Sequence, residues 1–77
     1  MKTLEFTSEK IENLIKESAE FYNLTLVKTE VIDEGDHYWL RLEDDNSNLM
    51  SDIIMKDNVI SENDLDNQVT AIVEKLA

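Results

Sequence analysis

Apolar residues recur along this chain in two rhythms, and the rhythm changes at clusters of turn-forming residues. From Leu24 to Leu42 the sequence LTLVKTEVIDEGDHYWLRL holds two alternating apolar runs separated by a polar stretch with the chain's one glycine. In the second run Tyr38, Leu40 and Leu42 fall on one side and Trp39, Arg41 and Glu43 on the other, the two-residue period of a strand covered on one face. Tyr38, Leu40 and Leu42 are therefore expected in the core. The first run is less regular. Leu24 and Leu26 share a side, but continuing their parity would carry Lys28 and Glu30 inside, where unpaired charge is costly. A bulge near Val27–Lys28 resolves the conflict: Thr29 and Val31 then point inward, and Lys28, Glu30 and Ile32 outward. Asp33, Glu34, Gly35 and Asp36 supply the turn, with Gly35 free to take a positive φ. The whole stretch reads as a β-hairpin.

The flanking segments read as its covers. Lys2 to Phe6 suggests a short leading strand with Leu4 and Phe6 on one face. Thr7 or Ser8 then offers a helix N-cap, and Ile11, Leu14, Ile15, Ala19, Phe21 and Tyr22 recur at helical spacing up to a stop at Asn23. After the hairpin, the turn formers Asp44 to Asn48 lead into a third hairpin-connected strand, Leu49 to Lys56. Either Ile53 or Ile54 must face the core there, with Met50 or Met55, and the pattern leaves the choice open. Ser61 and Asp64 resemble a capping box with Asp in place of Glu, and Leu65, Val69, Ile72, Val73 and Leu76 form a narrow apolar stripe beyond it. The expected fold is one α+β domain over residues 1–77, a two-layer sandwich of order β-α-β-β-β-α. An antiparallel or mixed sheet would carry both helices on one face. The other face would then present Trp39 and Ile32 among charged neighbours.

Charge adds a second constraint. Eighteen Asp and Glu against seven Lys and Arg give a net charge of −11, with no basic cluster, so direct binding to nucleic acid or an anionic membrane is disfavoured. The same charge keeps a small domain soluble and attracts a basic partner. No cysteine is present, so neither disulfides nor thiolate metal sites can staple the fold. MKTLEFTSEK lacks the apolar stretch of a signal peptide and no run is long enough to span a membrane, so the expected location is cytoplasmic.

Little in the chain points to catalysis or to a cofactor. With one histidine and no cysteine, a nucleophilic triad would have to be built around His37, which sits beside the turn. A single glycine cannot make a phosphate-cradling loop. Asp44, Asn46, Asn48 and Asp52 match positions 1, 3, 5 and 9 of a calcium loop, but Leu49 and Met55 occupy the positions that need Gly and a bidentate Glu. A turn rich in Asp and Asn explains the run without an ion.

The expected role is therefore binding of another protein, without catalysis, metal or cofactor. Trp39 and Ile32 would anchor a basic partner, and the carboxylates of Asp33, Glu34 and Asp36 at one end of the hairpin, with Asp44 and Asp45 at the other, would steer it. In a sharper version the partner is a nucleic-acid-binding protein and the carboxylates stand in for phosphates, since alternate strand residues lie about 6.6 Å apart. In size and acidity the chain resembles phage-encoded DNA mimics and anti-restriction or anti-CRISPR proteins, a resemblance of composition that rests on no motif. The alternative is a homo-oligomeric scaffold, typically a homodimer, that buries the open sheet face against a copy of itself.

Overall fold

The computed structural model describes residues 4–77. Its elements run α1 (Ser8–Phe21), β1 (Leu26–Asp33), β2 (His37–Asp44), β3 (Leu49–Met55), a short 3₁₀ turn (Lys56–Asn58) and α2 (Glu62–Glu74). The fold is α+β, with two helices and a three-stranded antiparallel sheet in the order β1-β2-β3. The expected leading strand is not formed at Leu4–Phe6, and Lys2 and Thr3 lie outside the described residues. Leu4 and Phe6 still pack on the core: the Leu4 amide donates to the Val59 carbonyl at 2.9 Å, and the Tyr38 hydroxyl donates to the Phe6 carbonyl at 2.9 Å. Two apolar side chains on a short segment satisfy burial without a ladder, which is why the alternation at Leu4 and Phe6 resembled a strand.

Each helix begins and ends on local chemistry. The Thr7 hydroxyl accepts from the Lys10 amide at 3.2 Å and the Ser61 hydroxyl from the Asp64 amide at 3.1 Å, each satisfying a donor that the first turn leaves over. The Asp64 carboxylate reaches back to the Ile60 amide at 3.1 Å, one residue before the cap, in a variant of the capping box. At the far end of α1, Asn23 takes a left-handed conformation (φ 55°). Its amide bonds the Glu20 carbonyl while the Leu24 amide bonds that of Ala19, the two-bond lock that ends many helices.

The sheet register follows the alternation. Tyr38, Leu40 and Leu42 are buried, and Val31 lies opposite Leu40 and Thr29 opposite Leu42, after a register shift between Leu26 and Lys28 where the bulge is expected. β3 resolves its ambiguity in favour of Ile54, which is buried opposite Tyr38, with Met50 opposite Leu42 on the same side. Ile53 and Met55 therefore point to the other side. Buried residues of both helices (Ile11, Leu14 and Ile15; Leu65, Val69, Ile72 and Val73) join the inward residues of β2 and β3 and Val59 in one core cluster. Removing each large aliphatic side chain from water contributes about 1.5–3 kcal/mol. Phe21 departs from the helical stripe and is 79% exposed, standing edge-on to the ring of Tyr22. The buried position on that side of α1 belongs instead to Ser18, whose hydroxyl meets that of Thr70 on α2 at 3.3 Å.

Candidate partner-binding face

The outward residues of the three strands fall into cross-strand rows fixed by the register. Lys28, Glu43 and Leu49 form one row; Glu30, Arg41 and Ser51 the next; then Ile32, Trp39 and Ile53; and His37 with Met55 closes the face at the hairpin end. Directly opposed side chains on neighbouring strands start about 4.5–5.5 Å apart, so each row forms a continuous strip. The third row is wholly apolar. Trp39 is half-buried at its centre, while Ile32 is 42% and Ile53 48% exposed. Leu49, two rows away on β3, is 58% exposed. The row beside it is charged on β1 and β2, and Lys28 and Glu30 pair along β1 at 3.0 Å. Trp39 and Ile32 thus stand where the alternation puts them. Ile53 completes their row, and it was hidden in the sequence because Ile53 and Ile54 are chemically equivalent.

The acidic end of the hairpin is internally engaged. The Glu34 amide bonds the His37 carbonyl at 2.9 Å and Gly35 turns the chain with φ 96°. His37 lies between two carboxylates, Nδ1 at 2.6 Å from Asp36 and Nε2 at 3.0 Å from Glu34. The hydrogen bond to Asp36, above all, raises the affinity of the ring for a proton, with Glu34 adding to it against some desolvation. Asp36 is held below the usual carboxylate range by the same bond. Asp33 accepts from Lys56 Nζ at 2.8 Å and from the Gly35 amide at 3.0 Å, and these two bonds, Lys56 first, lower its pKa. Lys56 in turn lies 4.7 Å from the centre of the Tyr38 ring, within cation–π range. Asp33, Glu34 and Asp36 are therefore gathered at one end as expected, but each has a cation or an imidazole against it.

At the opposite end Asp44 and Asp45 part company. Asp44 is buried, and its carboxylate accepts from the Asn46 and Asn48 amides and from the Asn48 side chain, all at 2.9 Å. The Asn48 side-chain bond, then the Asn48 and Asn46 amides, hold its pKa below the ordinary value despite desolvation. Asp44 thus organises its own turn, in which Ser47 takes φ 65°. Asp45 is exposed. Asp52, on the inward side of β3, meets Lys75 Nζ at 2.6 Å. Burial would raise its pKa, but the bonds from Lys75 and from the Ile53 amide outweigh that and lower it.

One open concavity is lined by Leu4, Glu5, Phe6, Thr7 and Lys56. His37 does not line it, and both ring nitrogens of His37 already face carboxylates. Among the described residues no group of three or more His, Asp or Glu side chains is arranged to hold a metal ion, and no helix is long and apolar enough to cross a membrane. Comparison with protein-family models, with curated proteins and with solved structures finds no match to this chain.

Proposed function

We propose that the chain is a non-catalytic binding module that engages a basic partner protein through the outer face of its sheet, with Trp39 as the anchor. The observation that carries this reading is the apolar row Ile32–Trp39–Ile53, set on a face whose neighbouring row is charged. Among the described residues, Ile32 and Ile53 of this face are exposed and Trp39 between them is half-buried. A half-buried aromatic flanked by exposed aliphatic side chains and bordered by charge has the make-up of a binding hot spot: the aromatic supplies desolvation energy, and the charges choose the partner and speed encounter. A chain charge of −11 selects for a basic partner.

The nucleic-acid-mimic version needs carboxylates that are free to imitate phosphates. Asp33, Glu34 and Asp36 are shared with Lys56 and His37, and Asp44 is spent within its turn, so the aromatic face supports recognition better than the hairpin end does. A pull-down from native host lysate with tagged wild-type and Trp39→Ala protein, at low and high salt, separates the readings. We expect a protein that wild type captures and Trp39→Ala loses, with retention weakened but not abolished by salt. Capture that ignores Trp39 but vanishes in Asp33→Asn/Glu34→Gln/Asp36→Asn would restore charge mimicry. A concentration-dependent dimer abolished by Trp39→Ala would favour the scaffold reading instead.

A further inference from the structure

We propose that the partner docks by adding an extended segment, alternately apolar and basic, as a fourth strand along the β3 edge. This rests on the reading of the outer face given above and specifies how the partner reaches it. The hydrogen-bond phase of β3 is fixed at both ends: the Asp44 amide donates to the Asn48 carbonyl at 3.1 Å, and the Lys56 amide donates to the Asp36 carbonyl at 3.0 Å. Bonding residues alternate along an antiparallel pair, so Asn48, Met50, Asp52, Ile54 and Lys56 face β2. Leu49, Ser51, Ile53 and Met55 turn their N–H and C=O groups to the free edge. The Ile53 amide agrees with this phase, because it donates to its neighbour's carboxylate, Asp52 Oδ1, at 2.8 Å and not to a strand. Among the described residues, no backbone bond from outside the sheet reaches Ser51 or Met55.

The two edges of the sheet are not equivalent. β1 carries a bulge between Leu26 and Lys28 and an outward Lys28–Glu30 pair, both devices that discourage strand addition. β3 shows an outward face of Leu49, Ser51, Ile53 and Met55 without a charge, and its one acidic residue, Asp52, points to the other side. An added strand about 4.8 Å away would set its outward side chains next to Leu49 and Ile53, lengthening the row that starts at Ile32 and Trp39. Its inward side chains would meet Asp52, and its ends would pass the exposed carboxylates of Asp45 and Asp57. A second copy of this chain would bring a further −11 to the same edge, so charge favours a segment rich in lysine or arginine.

The test uses a short synthetic peptide of alternating lysine and valine, titrated into the isotope-labelled full chain and followed by amide NMR. Expected are saturable shifts and slowed hydrogen exchange at the Ser51 and Met55 amides, a change in Trp39 emission, and no binding by the same peptide N-methylated at alternate positions. Ser51→Pro removes an N–H that the fold leaves at the edge, where proline is tolerated, and should weaken the peptide about tenfold or more while the circular dichroism spectrum is kept. Should that variant unfold, the wild-type exchange pattern and the N-methylated peptide still decide. Protection appearing along Thr29–Val31, or equal binding of the N-methylated peptide, overturns strand addition. Binding lost in Trp39→Ala but kept in a folded Ser51→Pro overturns it too, yet leaves the face reading standing. Binding indifferent to both removes both. Dimerisation in place of peptide binding assigns the edge to a second copy and likewise overturns the proposal.

Discussion

His37 is half-buried between two carboxylates. Held by Asp36 and Glu34, it keeps its proton more strongly in the folded chain than in the unfolded one. Its contribution to stability is therefore complete below the ordinary value of 6.5 and fades as pH rises through the higher folded value. NMR titration of the ring should give a midpoint above 6.5, and Asp36→Asn should lower that midpoint more than Glu34→Gln does. Asp44 behaves with the opposite sign. Its folded pKa lies below the ordinary 3.8, so its contribution is present above that pH and is lost as pH falls through the folded value. Asp44→Asn keeps an acceptor for the Asn46 and Asn48 amides but loses the charge. The gap in urea midpoint between wild type and this variant should be full at neutral pH and close in acid. A midpoint gap that is independent of pH would mean that the charge of Asp44 does nothing for the turn.

At the scale of elements, a core position of β2 and the cap of α2 make predictions of different size. Leu40 is fully buried, and Leu40→Ala should cost about 2–5 kcal/mol, whereas Ser61→Ala, which removes only a helix cap, should cost about 0.5–2 kcal/mol. Urea unfolding of the two variants checks the ranking. The hairpin was legible from residue types alone because a period of two leaves no freedom once Tyr38, Leu40 and Leu42 are placed, and because inward Lys28 and Glu30 would have been too costly to allow any register without a bulge. The caps Asn23 and Ser61 were legible because each solves a local hydrogen-bonding need, and at the start of α1 the sequence narrowed the cap to Thr7 or Ser8, of which Thr7 takes the role. What escaped were choices made by tertiary packing. Ile53 and Ile54 are indistinguishable until β2 fixes the register, Leu4 and Phe6 bury themselves without a ladder, and Phe21 yields its inward place to Ser18. The site divided the same way. Trp39 and Ile32 follow from alternation and the Asp- and Asn-rich turn from its residue types, but nothing in the sequence announces that Asp44 would be buried there, or that Lys56 would come round to Asp33.

For the molecule as a whole, charge acts against the fold that carries it. Eighteen carboxylates face only seven amines and guanidinium groups, so self-repulsion exceeds what the few ion pairs return. Added salt, which limits repulsion to within about 10 Å at 0.1 M, should raise the urea midpoint; a midpoint that falls would show that the ion pairs outweigh the repulsion. The arrangement of elements along the chain also bears on how the protein comes into being. The three strands are joined in sequence by tight turns and can zip together as they are made, but the residues that close the core, Leu65, Val69, Ile72 and Val73, are in α2, which follows the strands in the chain. Until α2 is made, the core cluster lacks every side chain that it supplies. Synthesis thus passes through an interval in which the strands are made but the core residues of α2 are not yet there to cover them. Fourteen of the eighteen carboxylates precede α2 and are already present then, keeping such nascent chains apart.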